Sequence, residues 1–245
     1  MKIFDKILKL LFPDKCIICG DVLAEEHDFY ICKKCIRLVK FSDEENRCRI
    51  CSTPISYGSR LCTYCSTRKR YFTKNVSCVI YMGAMRDAVL RYKFNKAVYI
   101  RAAFADMIEY AVKKEKDFPH FDLLAAVPSG KKRLKKRGYN QCDYIAKYLS
   151  QKWGILYADK ELIKIKDTPV QSTMKAATER FENIKGAFKV TDKNVFRGKT
   201  VLLLDDVFTT GATLSEISRI LLKAGAKEVY TATVAVSHPK DKIKY

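Results

Sequence analysis

Short apolar runs alternate with amphipathic segments throughout the part of the chain that follows residue 70. The apolar runs predict six strands, at residues 76–81, 123–127, 162–165, 187–190, 200–204 and 228–236. The amphipathic segments predict four helices, at residues 84–94, 100–114, 140–152 and 213–224. Because strands alternate with helices, we expect an α/β fold with a mostly parallel sheet. The run at residues 200–204 shows no polar alternation, which is typical of a central strand covered on both faces.

The first 70 residues lack this alternation and begin with a segment, residues 1–12, in which Lys is interspersed with Ile, Leu and Phe. We expect a short amphipathic helix there that packs on the body of the protein, with contact to a membrane surface as the minor alternative. Its apolar stretch is too short and interrupted for a secretory signal, and no apolar run reaches the length of about 18 residues that a membrane span needs. We therefore expect a cytoplasmic protein without a transmembrane segment.

Eight of the ten cysteines form four Cys-x-x-Cys pairs within the first 70 residues, namely Cys16/Cys19, Cys32/Cys35, Cys48/Cys51 and Cys62/Cys65. Two such pairs can surround one ion with four sulfur atoms, so we expect two structural Zn²⁺ sites, closed and therefore not catalytic. A disulfide framework would need an oxidising compartment, and nothing in the sequence exports the chain. The spacing favours sequential pairing but leaves a cross-braced pairing open. Of the remaining cysteines, Cys78 lies in a predicted strand and is expected in the core.

Two adjacent carboxylates, Asp205 and Asp206, follow the apolar run at residues 200–204. Ligands of parallel α/β sheets bind beyond the carboxyl ends of the strands, where carboxylates can accept hydrogen bonds from ribose hydroxyls. The next loop can donate backbone N–H groups to a phosphate and leads into the positive end of a helix. Its residues are Thr209, Thr210, Gly211, Ala212 and Thr213. Thr213 and Glu216 also predict a capping box at the start of that helix, and the whole stretch predicts a site for a phosphorylated ribose.

A second loop with anion-binding chemistry follows the predicted strand at residues 123–127. Ser129 and Gly130 can donate N–H groups there, and Lys131–Arg137, directly after them, contains only one residue that is not basic. Arg133 and Arg137 are the candidates for clamping a pyrophosphate, because a guanidinium offers a bidentate fork to phosphate. A solvated loop that contacts a DNA backbone is an equally good interpretation of the same segment. The net charge of +20 favours polyanionic ligands in either case.

The stretch at residues 205–213 resembles the phosphoribosyl pyrophosphate (PRPP) motif of type I phosphoribosyltransferases. Three further motifs occur in order with it: Val127-Pro128, Arg137-Gly138-Tyr139-Asn140-Gln141 and Gly186-Ala187-Phe188. Together with the cysteine pairs, they make essentially the whole chain similar to the ComF family, late-competence bacterial proteins with a phosphoribosyltransferase-like domain behind a zinc ribbon. The resemblance implies an amphipathic start and double zinc-ribbon module at residues 1–70 and a phosphoribosyltransferase-like domain at residues 71–245.

The resemblance also implies roles for individual residues. Asp205 and Asp206 would hold the ribose hydroxyls, residues 209–213 would bind the 5-phosphate of PRPP, and Mg²⁺ would bridge ribose and pyrophosphate oxygens. Residues 166–180 would form a mobile hood over PRPP, with Gln171 and Arg180 as its candidate ligand-binding residues. Lys93 lies in a stretch that resembles a basic-aromatic segment of the family; by itself it would be interpreted as a surface lysine.

Two classes of function remain compatible with these features. The first is a phosphoribosyltransferase that uses PRPP and Mg²⁺, with Asp205, Asp206, Arg133 and Arg137 as catalytic residues. The second is a non-catalytic PRPP sensor that binds single-stranded DNA through interleaved basic and aromatic side chains at residues 70–72, 91–94, 137 and 139. Our preferred hypothesis is a competence protein that acts in DNA uptake, with a PRPP site, contact to single-stranded DNA and partners in the competence machinery. Nucleotide salvage is a weaker hypothesis, because such enzymes rarely need a double ribbon.

Overall fold

The computed structural model describes residues 13–23, 27–44, 46–95, 97–168 and 177–237, and of residues 177–180 only the backbone. The predicted helix at residues 1–12 and the candidate hood residue Gln171 lie outside the described residues, as does the side chain of Arg180. The hood predicted at residues 166–180 is thus described only at its two ends, as an irregular stretch and the first turn of a helix.

Among the described residues, seven strands are formed, and five of them make one parallel sheet. In chain order they are β1 (Asn75–Ile80), β2 (Leu123–Ala126), β3 (Leu156–Ala158), β4 (Leu162–Lys164), β5 (Phe188–Val190), β6 (Thr200–Phe208) and β7 (Glu228–Val236). The order across the sheet is β1-β7-β6-β2-β3, and every neighbouring pair is parallel. The predicted α/β fold with a mostly parallel sheet and a central strand at residues 200–204 is therefore confirmed.

Three features of the strands differ from the prediction. β3 has no counterpart in the predicted set, because it is short and its first residue, Leu156, is largely exposed. β4 and β5 pair with each other in an antiparallel two-stranded sheet instead of joining the parallel one. β6 continues beyond Leu204 to Phe208, because its pairing with β7 extends that far. Asp205 and Asp206 therefore lie within the strand instead of after it.

Seven α-helices are formed within the described residues. They are α1 (Thr63–Thr67), α2 (Gly83–Phe94), α3 (Ile100–Lys114), α4 (Lys131–Arg137), α5 (Gln141–Trp153), α6 (Ala177–Ile184) and α7 (Ala212–Lys223). The prediction of a loop at residues 131–137 is wrong, because this segment is helix α4. Repulsion between its like charges disfavours a helix, but two glycines define its ends: Gly130 is the N-cap, and Gly138 closes the helix with a φ of +82°.

Helix α7 begins one residue earlier than predicted. Its N-cap is Gly211, so the predicted capping box between Thr213 and Glu216 is wrong. Glu216 instead accepts a hydrogen bond from the N–H of Gly186 at 3.0 Å and forms an ion pair with Arg219 at 2.8 Å. The hydrogen bond from Gly186 connects α7 to the turn that precedes β5, and the ion pair with Arg219 lies within α7.

The side chains of β6 alternate between two hydrophobic cores on opposite faces of the sheet. Leu202 and Leu204 belong to a core with α2, α3 and α5, whereas Val201 and Leu203 belong to a core with α7. The first core includes cysteines from the segment before residue 40, and the second includes Cys48, Cys51, Cys62 and Cys65. Among the described helices, none is both long and apolar enough to cross a membrane.

Candidate functional site

The neighbouring parallel strands β2 and β6 bring two loops to the same edge of the sheet. Ala126 is in register with Leu204, and the N–H of Val127 donates to the Leu204 carbonyl at 2.9 Å. We call residues 127–130 the β2 loop and residues 209–211 the β6 loop. The β2 loop leads into the N-terminus of α4, and the β6 loop leads into the N-terminus of α7. The two loops expected to bind anions therefore lie side by side.

The two carboxylates of β6 have different surroundings. Asp206 is buried and forms an ion pair with Lys93 of α2, with 2.8 Å between Lys93 Nζ and Asp206 Oδ1. No described residue forms an ion pair with Asp205; its Oδ1 accepts the N–H of Asp206 at 2.9 Å and lies 3.4 Å from Sγ of Cys142. Burial, and after it the neighbouring Asp206 carboxylate, raise the pKa of Asp205 to about 7, although Lys93 opposes both. Asp205 is thus the carboxylate whose charge changes near neutral pH.

Two side chains from distant helices complete the surroundings of these carboxylates. Burial lowers the pKa of Lys93, but attraction to Asp206 outweighs burial and the pKa is raised, so Lys93 remains a cation. The interpretation of Lys93 as a surface lysine is therefore wrong. Burial, followed by Asp205 and Asp206, raises the pKa of the Cys142 thiol well above its usual value. The thiol stays protonated and donates to Asp205.

The β6 loop requires glycine at its last position. Gly211 has a φ of +71°, and a Cβ added there would lie 2.5 Å from the ring of Phe208. Thr210 is fully buried, and its Oγ1 accepts the N–H of Ala212 at 3.4 Å. Since Gly211 provides no side-chain cap, the positive end of α7 faces this loop.

The β2 loop is held by Asn140, the N-cap of α5. Asn140 Nδ2 donates to the Val127 carbonyl at 3.1 Å, and Ser129 Oγ donates to Asn140 Oδ1 at 3.0 Å. A Cβ added to Gly130 would lie 2.4 Å from Oδ1 of Asp167, so the chain that follows β4 passes directly over this loop. Gly130 is therefore the residue that permits this close approach.

Helix α4 presents two chemically different faces. Arg133 and Arg137, four residues apart on one face, are half-buried. The guanidinium of Arg137 lies 4.7 Å above the ring of Phe94. Burial lowers the pKa of Arg137, and attraction to Asp206 opposes this, so Arg137 is within electrostatic reach of the carboxylates. The other basic side chains of the helix are exposed: Lys131, Lys132, Lys135 and Lys136.

A further cation, Lys164 at the end of β4, approaches the same edge of the sheet. Its Nζ donates to Thr168 Oγ1 at 2.8 Å. Burial, and then repulsion from Arg133, lower the pKa of Lys164 to about 8, while Asp167 and Asp205 oppose the decrease. Four cations therefore interact with the carboxylate pair or with one another at this edge, which suits a polyanionic ligand. They are Lys93, Arg133, Arg137 and Lys164.

The eight paired cysteines form two separate groups of four. We call Cys16, Cys19, Cys32 and Cys35 the first Cys₄ cluster and Cys48, Cys51, Cys62 and Cys65 the second Cys₄ cluster. Within each cluster, all sulfur atoms lie within 4.8 Å of one another. Two of the sulfur pairs are 3.8 and 3.6 Å apart, close to the roughly 3.8 Å edge of a Zn–S₄ tetrahedron. Sequential pairing is confirmed, and the cross-braced alternative is wrong.

Known proteins resemble this chain over most of its length. Family models described as Double zinc ribbon domain and Phosphoribosyl transferase domain match residues 7–66 and 143–244. Competence protein F of Haemophilus influenzae is 30% identical over 223 residues, which cover 89% of this chain and 95% of the relative. The chain belongs to the ComF family. Its predicted membership and its double zinc ribbon are thereby confirmed.

Other relatives extend the ComF comparison. DNA utilization protein YhgH of Salmonella typhi is 28% identical over 223 residues, covering 90% of this chain and 96% of the relative. Among solved structures, glutamine PRPP amidotransferase from B. subtilis, complexed with ADP and GMP, matches with a TM-score of 0.40 and 18% identity. That match covers 59% of this chain and 30% of the amidotransferase, and it is too weak to inform function.

The basic-aromatic segments of this ComF protein differ from the predicted surface for stacking bases. Phe72 and Tyr92 are core residues that expose 3% and 0% of their surface, so neither ring is available to DNA. Arg91 donates hydrogen bonds to the backbone carbonyls of Ile17 and Ile18, which lie between Cys16 and Cys19 of the first Cys₄ cluster. Phe94 is exposed on one side, but its ring lies against Arg137. The predicted stacking on Phe72 and Tyr92 is therefore wrong.

Cys142 and Lys164 were not among the predicted site residues. The available sequence signal for Cys142 was its position, two residues after Asn140 and thus in the first turn of a helix that begins beside the β2 loop. Lys164 has no comparable local signal, because its place depends on the separate pairing of β4 with β5.

Proposed function

We propose that this ComF protein acts in DNA uptake and utilisation and binds PRPP with Mg²⁺ at the edge formed by β2 and β6. The cellular role follows from its relatives, which are named competence protein F and DNA utilization protein. The observation that carries the ligand is the Asp205–Asp206 pair in the last part of β6, shortly before a glycine loop and the N-terminus of α7.

The ribose 5-phosphate part of PRPP would bind along β6. Asp205 and Asp206 accept hydrogen bonds from the ribose hydroxyls, and the ion pair with Lys93 orients Asp206. Backbone N–H groups and hydroxyls around the N-terminus of α7 bind the 5-phosphate. They belong to Thr209, Thr210, Gly211, Ala212 and Thr213.

The pyrophosphate would bind on the side of β2. Ser129 and Gly130 donate from the β2 loop, and the half-buried guanidinium groups of Arg133 and Arg137 bind phosphate oxygens in a bidentate manner. Asp205, Asp206 and Cys142 lie close enough together to surround one metal ion. The carboxylate oxygens suit Mg²⁺, whereas the protonated thiol of Cys142 does not. When held by these carboxylates, Mg²⁺ would neutralise part of the pyrophosphate charge.

Phosphoribosyl transfer is the catalytic part of the proposal. The bond between ribose C1 and the pyrophosphate oxygen breaks, the electron pair leaves with pyrophosphate, and an acceptor nucleophile bonds to C1. Asp205 and Asp206 position the ribose, while Arg133 and Arg137 stabilise the charge on the leaving group. The hood expected at residues 166–180, with Gln171 and Arg180, lies mostly outside the described residues; in this proposal it would exclude water.

The same proposal assigns the two parts of the chain and its surroundings. Residues 1–70 form the zinc-ribbon module, and residues 71–245 form the phosphoribosyltransferase-like domain. Eight thiolates that hold zinc fit a reducing compartment, so the protein works in the cytoplasm, together with competence-machinery proteins. The exposed lysines of α4 contact single-stranded DNA, whereas its two arginines serve the pyrophosphate.

Calorimetric titration of zinc-loaded protein with PRPP and Mg²⁺ tests the ligand. The wild type should bind, and Asp205→Asn/Asp206→Asn should bind at least about a hundredfold more weakly, because two charge-assisted hydrogen bonds are lost. Asp117→Asn, at an exposed position far from this edge, is the matched control and should bind like the wild type.

Circular dichroism and zinc content establish that each variant is folded. A folded, zinc-loaded wild type that fails to bind PRPP would contradict the proposal. Release of pyrophosphate in the presence of candidate nucleobase acceptors then tests turnover, and binding without release would leave a PRPP sensor.

A further inference from the structure

Arg70, beside the β6 loop, has a buried guanidinium and no role in the site described above. All three guanidinium nitrogens of Arg70 are buried, each exposing less than 1 Å², and among the described residues none of them has a hydrogen-bond partner. Burial of a guanidinium without such partners is costly, since each N–H gives up its bonds to water. A ligand that accepts these hydrogen bonds would remove that cost.

Two neighbouring residues fix Arg70 against the β6 loop. The N–H of Tyr71 donates to Oγ of Ser215 in the first turn of α7, at 3.3 Å. Phe72 packs edge-to-face on the ring of Phe208, the last residue of β6, with 6.1 Å between the ring centroids. A Cβ added to Gly211 would lie 3.3 Å from Nη1 of Arg70. The guanidinium therefore lies directly against the loop that precedes α7.

The β6 loop itself supplies no full positive charge. Its residues Thr209, Thr210 and Gly211 are neutral, and the end of α7 contributes only a partial charge. Arg133 and Arg137 belong to the β2 side of the site and carry the pyrophosphate in the proposed function. Arg70 lies against the β6 loop as a full positive charge, and it offers a fork that matches a phosphate.

We infer that Arg70 binds the phosphate monoester held by the β6 loop, an inference that rests on the proposed function. The arginine comes from the end of the zinc-ribbon module and not from the sheet that carries the rest of the site. Cys65 of the second Cys₄ cluster lies in α1, and Arg70 follows shortly after the end of this helix at Thr67. Zinc in the second cluster therefore orders a ligand-binding residue.

Arg70 has one competing role, which is to neutralise the thiolates of the second cluster. It is close enough to Cys65 for their charges to interact, and its guanidinium lies 5.3 Å from the centroid of the Phe181 ring. Arg68 provides a matched control, because its guanidinium lies 5.1 Å from the same ring and it is not among the buried, unpartnered groups. A substitution of Arg68 removes a guanidinium from the same ring and the same local charge, while the buried guanidinium of Arg70 stays in place.

The experiment titrates zinc-loaded wild type, Arg70→Ala, Arg70→Lys and Arg68→Ala with ribose 5-phosphate and with PRPP and Mg²⁺. Ribose 5-phosphate probes the β6 side alone, because it lacks pyrophosphate. Arg70→Ala should weaken both ligands about ten- to a hundredfold, and Arg70→Lys should weaken them less. Arg68→Ala should change neither by more than about twofold, and zinc content should be equal in all four proteins.

Each of the other outcomes contradicts the inference about Arg70, the proposed function, or both. If Arg70→Ala loses zinc, and its zinc-reloaded form binds ribose 5-phosphate like the wild type, Arg70 serves the cluster and the inference fails. If the wild type binds PRPP and the Arg70 variants bind it equally well, the inference fails while the proposed function stands. Arg70-dependent binding of ribose 5-phosphate without any binding of PRPP would keep the inference and end the proposed function. A wild type that binds neither ligand ends both.

Discussion

The unequal partners of Asp205 and Asp206 decide how the site is charged. Lys93 pairs with Asp206 at 2.8 Å, which leaves Asp205 buried beside a second carboxylate. Burial first, and Asp206 second, therefore raise the pKa of Asp205 from 3.8 to about 7. Near neutral pH, Asp205 is only partly ionised in the unliganded protein, whereas Mg²⁺ binds the carboxylate form.

This pKa predicts that PRPP and Mg²⁺ bind about tenfold more tightly at pH 8 than at pH 6, because the ionised fraction of Asp205 changes about tenfold across a pKa near 7. Calorimetry at the two pH values measures the affinity. A carboxyl ¹³C resonance, identified by its loss in Asp205→Asn, should titrate near pH 7 and separates this group from the phosphates of PRPP. A resonance that titrates near pH 4 would refute the prediction.

The same shift has a consequence for folding. Since the pKa of Asp205 is higher in the folded than in the unfolded chain, the folded state holds a proton that the unfolded state releases between about pH 4 and pH 7. The contribution of this group to the free energy of unfolding therefore decreases as the pH rises through that window and is constant above it.

Sequence information is sufficient for some residues of the site and insufficient for others. Asp205 and Asp206 can be predicted, because the apolar strand, the charged pair and the glycine loop are adjacent along the chain. Lys93 and Cys142 reach the same carboxylates from α2 and α5, and a local pattern carries no information about such contacts. Only the packing of both helices on one face of the sheet brings them there.

At the scale of single elements, α4 places on two faces the basic residues for which the sequence left two interpretations open. Its half-buried face carries Arg133 and Arg137, of which Arg137 is within electrostatic reach of Asp206, and its exposed face carries four lysines. A run of charges does not reveal this division, because the 3.6-residue period appears only once the segment is helical. The two glycines that cap α4 make it helical despite the repulsion between its charges.

The exposed face of α4 predicts a specific effect on DNA binding. Replacing Lys131, Lys132, Lys135 and Lys136 by Gln should weaken binding to single-stranded DNA and reduce the salt slope of the binding constant by about three, since each phosphate contact contributes about 0.7. PRPP affinity should stay unchanged, because these side chains are exposed to solvent and the proposed PRPP site does not use them. Fluorescence anisotropy at several salt concentrations measures both the affinity and the slope.

A control for this prediction uses lysines on the opposite side of the molecule. Lys193, Lys199, Lys223 and Lys227 are exposed near the amino-terminal ends of β6 and β7, away from the edge that carries the site. Replacing these four by Gln removes the same charge. Equal loss of DNA binding in both variants would mean that net charge, and not α4, attracts DNA.

At the scale of the whole molecule, the two Cys₄ clusters lie against opposite faces of the sheet, and each is connected to a different part of the site. Arg91 of α2 donates to the carbonyls of Ile17 and Ile18 in the first cluster, and Lys93 on the same helix pairs with Asp206. The second cluster reaches the β6 loop through residues 70–72. The sequence predicts both clusters from cysteine spacing, but it contains no sign of these connections, which depend on the tertiary packing of each cluster.

The connection through α2 predicts that loss of zinc from the first cluster weakens PRPP binding, although this cluster does not supply a ligand-binding residue. In Cys16→Ser/Cys19→Ser, Arg91 loses its ordered carbonyl acceptors, so α2 becomes more mobile and Lys93 holds Asp206 less firmly. PRPP affinity should fall about three- to tenfold, the effect of one weakened hydrogen bond or ion pair. Amide hydrogen exchange in α2 should increase at the same time.

Arg91→Ala separates this route from a general loss of stability, because it removes the connection while leaving the zinc ligands in place. It should reproduce both the faster exchange in α2 and the weaker PRPP binding with two zinc ions still bound. Arg101→Ala, at an exposed position on α3, removes an equal charge and should change neither. If Arg91→Ala exchanges and binds like the wild type while the cysteine variant does not, the first cluster acts by stabilising the core that it shares with α3, and not through α2.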